Sequence, residues 1–194
     1  MMTGASGAQY GLRLLEQLVK ANVKIYLLLS RPALIVINTE TGLKVPSRAS
    51  ELEKFFSKEY KANPGQIQVF EREQWMAPIA SGSGVADVTI VCPCTTGTLS
   101  SIAMGSSRNL LERAADVALK ERKKLILVIR ETPLSDIHLE NMLKLSRMGA
   151  VIMPANPGFY HNPESLDDIY DFMVARIMEH LELPQNLVPV WGKP

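Results

Sequence analysis

The stretch that decides the fold reads Leu125-Ile126-Leu127-Val128-Ile129, followed directly by Arg130-Glu131-Thr132-Pro133. Five consecutive leucine or β-branched residues are typical of a strand that is buried on both faces, as the strands of a parallel sheet are. Pro133 then breaks the strand, so the charged pair Arg130-Glu131 stands at its carboxyl end. Because ligands of open α/β sheets bind outside the carboxyl ends of the strands, this pair is a candidate site.

Strand-like and helix-like segments alternate along the rest of the chain in the same way. This alternation predicts parallel strands joined by right-handed helical crossovers, so that the carboxyl ends meet at one edge. The first strand is the exception, because only Met1 and Met2 precede a glycine turn and we expect it to be short. We predict strands over 24–29, 88–92, 125–129 and 150–153, and helices over 8–20, 49–60, 98–122, 136–147 and 164–182.

Length, composition and charge argue against several classes of protein. The 194 residues suit one domain, and 46% hydrophobic and 21% charged residues are ordinary for a globular chain. A formal net charge of +1 gives no electrostatic case for nucleic-acid binding, and no apolar run approaches the roughly 18 residues of a membrane span. No signal segment is recognisable, and the two cysteines, Cys92 and Cys94, are too close together to staple a fold. A reducing cytoplasm is therefore the expected location.

The first glycine turn reads Thr3-Gly4-Ala5-Ser6-Gly7 and leads into a predicted helix. Glycines before a helix allow backbone N–H groups to approach an anion, although the same residues also suit a plain tight connection. The turn lacks the G-x-G-x-x-G pattern of dinucleotide sites, and Ser30-Arg31 stand where a ribose-binding acid would follow the second strand. A dinucleotide is therefore not expected.

A second turn, Thr95-Thr96-Gly97-Thr98, supplies hydroxyls and backbone donors ahead of another predicted helix. This composition suits a phosphate monoester such as that of flavin mononucleotide (FMN), although a capped helix start has the same residues. Because both turns fall on one edge of the predicted sheet, together they favour a ligand more strongly than either does alone.

Two cations in the predicted helix 98–122 are candidates for binding a further phosphate. Arg113 and Lys120 are seven residues apart, which places them on one face of a helix, two turns from each other. The alternative is a solvated face on which Asp116 pairs with Lys120 at i,i+4.

Five blocks of sequence carry a joint signature: 4–8, 93–99, 109–122, 130–142 and 157–160. The most specific of them contains Arg130-Glu131-Thr132-Pro133-Leu134-Ser135 and Ile137-His138-Leu139-Glu140-Asn141-Met142. Together the blocks resemble the UbiX-type flavin prenyltransferases, a family long described as 3-octaprenyl-4-hydroxybenzoate carboxy-lyases or aromatic acid decarboxylases. The resemblance covers nearly the whole chain and departs at Arg108, where the family pattern has a short polar residue.

The resemblance implies a fold, a reaction and partners. The fold is a single α/β domain with a three-layer, flavodoxin-like (Rossmann-like) open parallel sheet and helices on both faces. The reaction joins a dimethylallyl group from dimethylallyl monophosphate to N5 and then C6 of reduced FMN. The resulting prenylated FMN serves a separate UbiD-type decarboxylase, in ubiquinone biosynthesis or in aromatic acid breakdown. The family assembles as a homododecamer.

The resemblance also implies roles for individual residues, carried over by position. Proton removal at ring closure falls to Ser6 and Glu40, and Lys120 and Glu131 are further catalytic residues. FMN is expected to be held by Gly4, Ala5, Ser6, Ser30, Thr95, Thr96, Gly97, Thr98 and Arg130. The prenyl phosphate is expected to be held by Arg113, Lys120, Glu131, Tyr160 and Arg176. Arg176 is predicted to lie near the apolar face of its helix, where a cation needs an anionic partner.

One motif suggests a metal that we do not expect. Asp167-Asp168-Ile169-Tyr170-Asp171 spells the D-D-x-x-D by which many prenyltransferases bind magnesium diphosphate. Ser165 three residues before Asp168 instead predicts a capping box at a helix start, where acidic residues complement the helix dipole. No second Asp-rich motif stands opposite, so no metal is predicted.

Other residues receive structural interpretations. Cys92 and Cys94 are predicted to be small buried residues, and His138 to belong to a helix start. Trp75 and Trp191 lie in loop-like segments and cover either a pocket or a partner surface.

Two other functions remain open from the sequence. The first is an FMN-dependent aromatic acid decarboxylase that acts directly. The related phosphopantothenoylcysteine decarboxylases carry an Asn-centred clamp followed by Met-Trp, whereas this chain has Asn156-Pro157-Gly158-Phe159-Tyr160. The second is a non-catalytic FMN carrier.

Overall fold

Strands and helices alternate along the chain, as predicted. A computed structural model describes residues 1–189 and 192; Trp191 lies outside the described residues. The strands are β1 (Ile25–Leu27), β2 (Ile67–Val69), β3 (Val88–Cys94), β4 (Lys124–Ile129) and β5 (Val151–Pro154). The helices are α1 (Ala8–Lys20), α2 (Arg31–Glu40), α3 (Ala49–Glu59), α4 (Thr96–Ala103), α5 (Leu110–Lys120), α6 (Asp136–Arg147) and α7 (Leu166–His180), with short 3-10 helices at Pro78–Ala80 and Gly82–Gly84.

The strands form a parallel sheet in two halves that residues 1–3 join. β1 pairs with β2, and β3, β4 and β5 pair in that order. The Met2 N–H donates to Leu28 O at 2.9 Å, and the Cys92 N–H donates to Met1 O at 2.9 Å. The order is therefore β2, β1, residues 1–3, β3, β4, β5, which is the Rossmann order. The order reverses between residues 1–3 and β3, where open α/β sheets bind ligands.

β4 is buried on both faces, as its sequence predicts. Leu125 and Leu127 pack in a cluster with α4 and α6, whereas Ile126 and Val128 pack with α7 on the other face. The five residues 125–129 are each at most 2% exposed. Helices therefore cover both faces of the sheet, and the predicted three-layer α/β architecture is confirmed.

The predicted helix 98–122 is wrong as one element. α4 ends at Ala103 and α5 starts at Leu110, with a turn at Gly105 (φ 67°) between them. The side chain of Asn109 accepts from the Glu112 N–H at 3.0 Å and caps the second helix. The apolar residues on both sides keep a helical spacing, which concealed the break.

One α-helix and one strand were not predicted. α2 starts directly after β1, capped by Ser30, whose hydroxyl accepts from the Ala33 N–H at 3.1 Å. Its first six residues include Pro32 and a run of aliphatic side chains without a clear polar face, so it lacks a helical pattern. β2 has three residues, which is too short for an alternation pattern.

A cavity of about 570 Å³ lies between β1 and β3, beside the amino ends of these strands. Lys24, Tyr26, Val88 and Ile90 are among its lining residues. It lies at the end of the sheet opposite the predicted ligand edge, so we do not treat it as the functional site. No helix in residues 1–189 has the length and apolarity needed to cross a membrane.

Candidate functional site

A second cavity, of about 390 Å³, lies at the carboxyl edge of the sheet where the strand order reverses. Thr3 fixes the two loops that flank it, because its hydroxyl donates to Pro93 O at 2.9 Å and accepts from the Thr95 N–H at 2.8 Å. The lining residues are Thr3, Gly4, Ser30, Pro32, Arg72, Thr95, Gly97, Thr98, Ser101, Arg108, Asn109, Leu111 and Glu112.

Glu40 closes the glycine turn next to this cavity. Its Oε2 accepts from the backbone N–H groups of Gly7 at 2.8 Å and Ala8 at 3.1 Å, and the side chain of Ser6 also interacts with its carboxylate. Burial alone would raise the pKa of Glu40, but these hydrogen bonds and the nearby Arg130 hold it below its ordinary value. Glu40 is therefore a carboxylate at neutral pH, in contact with the serine of the turn.

The charged pair at the end of β4 reaches the two turns. Arg130 Nε donates to Ser6 O at 3.1 Å, which links β4 to the glycine turn. Glu131 Oε2 accepts from the Thr96 hydroxyl at 3.5 Å, which links it to the start of α4. The fold thus brings Ser6, Glu40, Arg130 and Glu131 to one edge, as the sequence predicts.

The second turn is a capped helix start that leaves room for a ligand. Thr95 caps α4 by accepting from the Thr98 N–H at 3.1 Å. A side chain on Gly97 would meet no atom within 4 Å, and the backbone of Gly97 does not need a positive φ. Gly97 therefore borders open space in the cavity, and a ligand can approach the backbone closely there. Helix starts at Ser30 and Thr95 beside this space suit the phosphate and ribityl groups of FMN.

Four of the predicted residues lie away from this cavity within one chain. Lys120 is at the far end of α5, about 16 Å along the helix axis from its Asn109 cap. Arg113 Nε donates to Ala80 O at 3.1 Å, in the first of the two 3-10 helices. Tyr160, 82% exposed, follows β5, and Arg176 is in α7.

The ion pairs of these cations differ from the prediction. Asp116 pairs with Arg113 at 3.0 Å and not with Lys120, which pairs with Glu121 instead. Arg176 is exposed and pairs with Glu179, although it was predicted beside the apolar face of its helix. Its neighbours Met173 and Ile177 are buried, but the long arginine side chain extends to solvent and finds its anion there.

Several cavity residues were not predicted. Arg72, Ser101, Arg108, Asn109 and Glu112 line the cavity together with the predicted residues. Reading 98–122 as one helix hid the loop that carries Arg108. The Asn-x-x-Glu spacing of 109–112, which is typical of a helix start, was the signal that could have revealed it.

The D-D-x-x-D residues serve helix α7 in the way the sequence predicts. The Asp168 carboxylate accepts from the Ser165 N–H at 2.9 Å, and Ser165 Oγ accepts from the Asp168 N–H at 3.3 Å, which completes a capping box. Asp171 pairs with Arg13 of α1 at 2.6 Å. Within residues 1–189, no group of three or more His, Cys, Asp or Glu side chains is arranged to hold a metal.

The structural predictions for His138, Cys92 and Cys94 are confirmed. His138 takes part in a capping box with Ser135, and its Nδ1 accepts from the Ser135 N–H at 3.2 Å. Cys92 and Cys94 are buried free thiols, and burial raises the pKa of Cys92 to about 12. Trp75 is 44% exposed.

Comparison with known proteins identifies the family. The model of the Flavoprotein family matches residues 1–178. The chain is 55% identical over 192 residues to flavin prenyltransferase UbiX of Pseudomonas aeruginosa, which covers 99% of this chain and 92% of that protein. The crystal structure of AnUbiX (PadA1) in complex with FMN and dimethylallyl pyrophosphate superposes with a TM-score of 0.86 at 39% identity, covering 99% and 95% of the two chains. A dodecameric FMN-dependent UbiX-like decarboxylase from Escherichia coli O157:H7 gives a TM-score of 0.85 at 41% identity, covering 99% and 97%. The chain therefore belongs to the UbiX family of flavin prenyltransferases.

Proposed function

We propose that this protein transfers a dimethylallyl group from dimethylallyl monophosphate to N5 and C6 of reduced FMN, making prenylated FMN. The observation that carries the proposal is the contact between Ser6 and an ionised Glu40 at the ligand edge of a UbiX-family fold. This pair supplies a proton acceptor beside the glycine turn, which a purely flavin-binding protein does not need.

The binding of FMN is supported by the shape and donors of the carboxyl-edge cavity. The turn at 95–98 offers hydroxyls and helix-terminal N–H groups to phosphate, and Ser30 adds a third hydroxyl. FMN is the acceptor of the prenyl group, and its reduced ring supplies the nucleophilic N5 and C6. We assign Arg130, whose Nε donates to Ser6 O in the glycine turn, to orient the ring.

Proton removal from the flavin carbon requires a base close to the new bond. Glu40 is held ionised by two backbone N–H groups and by the Ser6 hydroxyl. We assign Ser6 to relay the proton and Glu40 to accept it, because Ser6 belongs to the glycine turn beside the cavity and its side chain interacts with the Glu40 carboxylate.

Departure of the prenyl phosphate requires positive charge that is in place beforehand. Negative charge develops on the phosphate as the allylic C–O bond breaks, and preplaced cations stabilise that charge more than the ground state. We assign Arg113, Lys120 and Arg176 to this task, with Tyr160 as a phenol donor and Glu131 as a further contact. No metal is required for this arrangement.

These residues reach the cavity, in our proposal, from neighbouring copies in a homododecamer. Lys120 stands about 16 Å along α5 from the helix start that lines its own cavity, so one chain does not complete the site. Lys120, Tyr160 and Arg176 are all substantially exposed. A residue that contributes to the site of a neighbouring copy has to lie on the surface of its own chain, so this exposure supports the proposal.

The product is proposed to serve a UbiD-type decarboxylase in ubiquinone biosynthesis or aromatic acid breakdown. A reducing cytoplasm suits a chain whose two cysteines are both free thiols.

The alternative activity is direct decarboxylation of an aromatic acid with FMN as the cofactor. The related structure from Escherichia coli is named a UbiX-like decarboxylase, which is the reason to test this activity. The two are separated by incubating the purified protein with FMN and an aromatic acid, with and without a UbiD-type partner. We expect CO₂ only when dimethylallyl monophosphate and the partner are both present. Release of CO₂ by the protein and FMN alone would establish the alternative.

A further inference from the structure

Two arginines to which the family resemblance gives no role line the carboxyl-edge cavity. Arg72 lies in the segment after β2, and Arg108 lies in the loop between α4 and α5. The same cavity is lined by Thr95 and Thr98 of the second turn. Two separate segments therefore bring arginine residues to the space that the flavin is proposed to occupy.

Hydrogen bonds anchor the side chain of Arg108, which is 72% exposed, beside this cavity. Its Nε and Nη2 donate to the Glu112 carboxylate at 3.3 and 3.1 Å, and its Nη2 donates to the Ser101 hydroxyl at 2.6 Å. Within the described residues, Nη1 has no hydrogen-bond partner, so the anchored guanidinium keeps one nitrogen for a ligand. Ser101 follows Thr98 by about one helical turn, roughly 5 Å along α4, which places the cation close to the helix start.

The charge around the cavity is suited to an anion. Arg72 forms no ion pair with any residue in the described part of the chain, and Glu112 offsets only one of the two arginines. The other lining residues are uncharged, so one net positive charge remains. A phosphate monoester carries a charge of about −1.5 to −2 at neutral pH, and arginine binds phosphate through paired N–H groups.

The arginines and the reacting groups occupy opposite ends of the second turn. Thr96 contacts Glu131 on the side of Ser6 and Glu40, whereas Thr98 leads along α4 to Ser101 and Arg108. FMN has the same polarity, because its reactive ring and its phosphate are at opposite ends of the ribityl chain.

We propose that Arg108 and Arg72 bind the phosphate of FMN, and that they make the protein select FMN over riboflavin. This inference rests on the proposed function for the identity of the flavin. Arg108 acts as a phosphate ligand that Glu112 and Ser101 position, and Arg72 supplies the second cation.

The test compares the affinities of the flavin-free protein for FMN and for riboflavin, measured by quenching of flavin fluorescence. In R108M the Kd for FMN is expected to rise roughly 10- to 100-fold, as for the loss of a charge-assisted hydrogen bond, while the Kd for riboflavin stays within about twofold. R72M is expected to change the Kd values in the same direction. R147M, which removes an exposed arginine of α6, is the matched control and is expected to change neither Kd.

Two results would overturn the inference: R108M and R72M that weaken FMN and riboflavin equally, or variants that leave both affinities unchanged. Thermal melting checks that each variant folds. If R108M does not fold, R72M and R108K test the inference in its place. R108K keeps the positive charge and is expected to retain most of the preference for FMN. Wild-type protein that prefers FMN but forms no prenylated flavin would refute the proposed function and leave this inference intact.

Discussion

At the residue scale, the ionisation of Glu40 links the structure to the proposed chemistry. Its carboxylate accepts two backbone hydrogen bonds, from Gly7 and Ala8, and interacts with the Ser6 side chain, which keeps it charged despite partial burial. The same carboxylate interacts with Ser6, so we assign the serine and the carboxylate to the same proton transfer. Substitutions here are expected to change the chemical step more than flavin binding.

Glu40→Gln is expected to lower the rate of prenylated FMN formation by about 10²- to 10⁴-fold, the usual contribution of a general base. The amide keeps the size of the side chain but cannot accept a proton. The measurement is the rate of ring closure, followed by flavin absorbance, alongside the Kd for FMN.

Glu140→Gln in the exposed part of α6 serves as the control and is expected to retain the wild-type rate. Finished product formed at the normal rate by Glu40→Gln would remove this carboxylate from the mechanism.

Lys120→Met is expected to lower kcat/KM for dimethylallyl monophosphate by about 10²-fold and to leave the Kd for FMN unchanged. The reason is the loss of a cation that meets the leaving phosphate. Lys123→Met, which removes a neighbouring exposed lysine paired with Asp87, is the matched control. A decrease in kcat/KM of less than about threefold would mean that Lys120 is an ordinary solvent-exposed side chain with no role in the reaction.

Site residues could be predicted from the sequence where a single segment contains the pattern that indicates them. Arg130 and Glu131 follow a buried strand, and the two turns precede helices, so their meeting at one edge follows from parallel topology. Arg72 and Arg108 were not predictable in this way, because their approach depends on loops whose paths the sequence pattern does not specify.

At the element scale, α7 depends on its capping box and on its contact with α1. Ser165→Ala is expected to lower stability by about 1 kcal/mol, or about 2–4 °C in Tm, because the Asp168 N–H loses its acceptor. Ser146→Ala at an exposed position within α6 is the control and is expected to change Tm little. Equal Tm values for Ser165→Ala and the wild type would contradict the capping role.

A second prediction at this scale concerns pH and the start of α5. Burial would raise the pKa of Glu112, but its hydrogen bonds with Arg108 lower it below 4.5. Because the pKa of Glu112 is lower in the folded state than in the unfolded state, its ionised form stabilises the folded protein. This contribution is complete above about pH 4.5 and is lost as the pH falls through the pKa of the folded state. The stability advantage of wild type over Glu112→Gln, measured by urea unfolding, is therefore expected to shrink below pH 4.5. An advantage that stays constant down to pH 3 would contradict this.

Elements were predictable in proportion to the strength of their periodicity. β4 and α1 have clear patterns and were located within a residue or two. The 98–122 segment was misread because apolar spacing continues across Gly105, and α2 was missed because its apolar residues do not follow a single face. In both cases tertiary packing decides where the helix ends.

At the scale of the whole molecule, we propose that the site is completed by assembly. One chain provides Ser6, Glu40, Arg130 and Glu131, and we assign the phosphate-binding cations to neighbouring copies. The parallel sheet could be predicted from the sequence of one chain. Contacts between separate copies could not, because no sequence pattern indicates which surfaces of two copies come together.

Mixed oligomers test this sharing of residues. Glu40→Gln and Lys120→Met are each expected to be nearly inactive alone, but their co-expressed mixture is expected to regain part of the wild-type rate. Some sites in the mixture combine an intact Glu40 from one copy with an intact Lys120 from another. Activity no higher than the average of the two parents would place both residues in the site of a single chain.

Prenyl transfer changes the mass of the flavin, so mass spectrometry detects it without any assumption about the site. The purified protein is incubated with reduced FMN and dimethylallyl monophosphate in the presence of excess EDTA, and the released flavin is analysed by mass spectrometry. We predict a flavin heavier by one dimethylallyl group in place of hydrogen, formed despite the chelator. Unchanged FMN would contradict prenyl transfer, and product that appears only after magnesium is restored would contradict the assignment of the leaving-group charge to Arg113, Lys120 and Arg176.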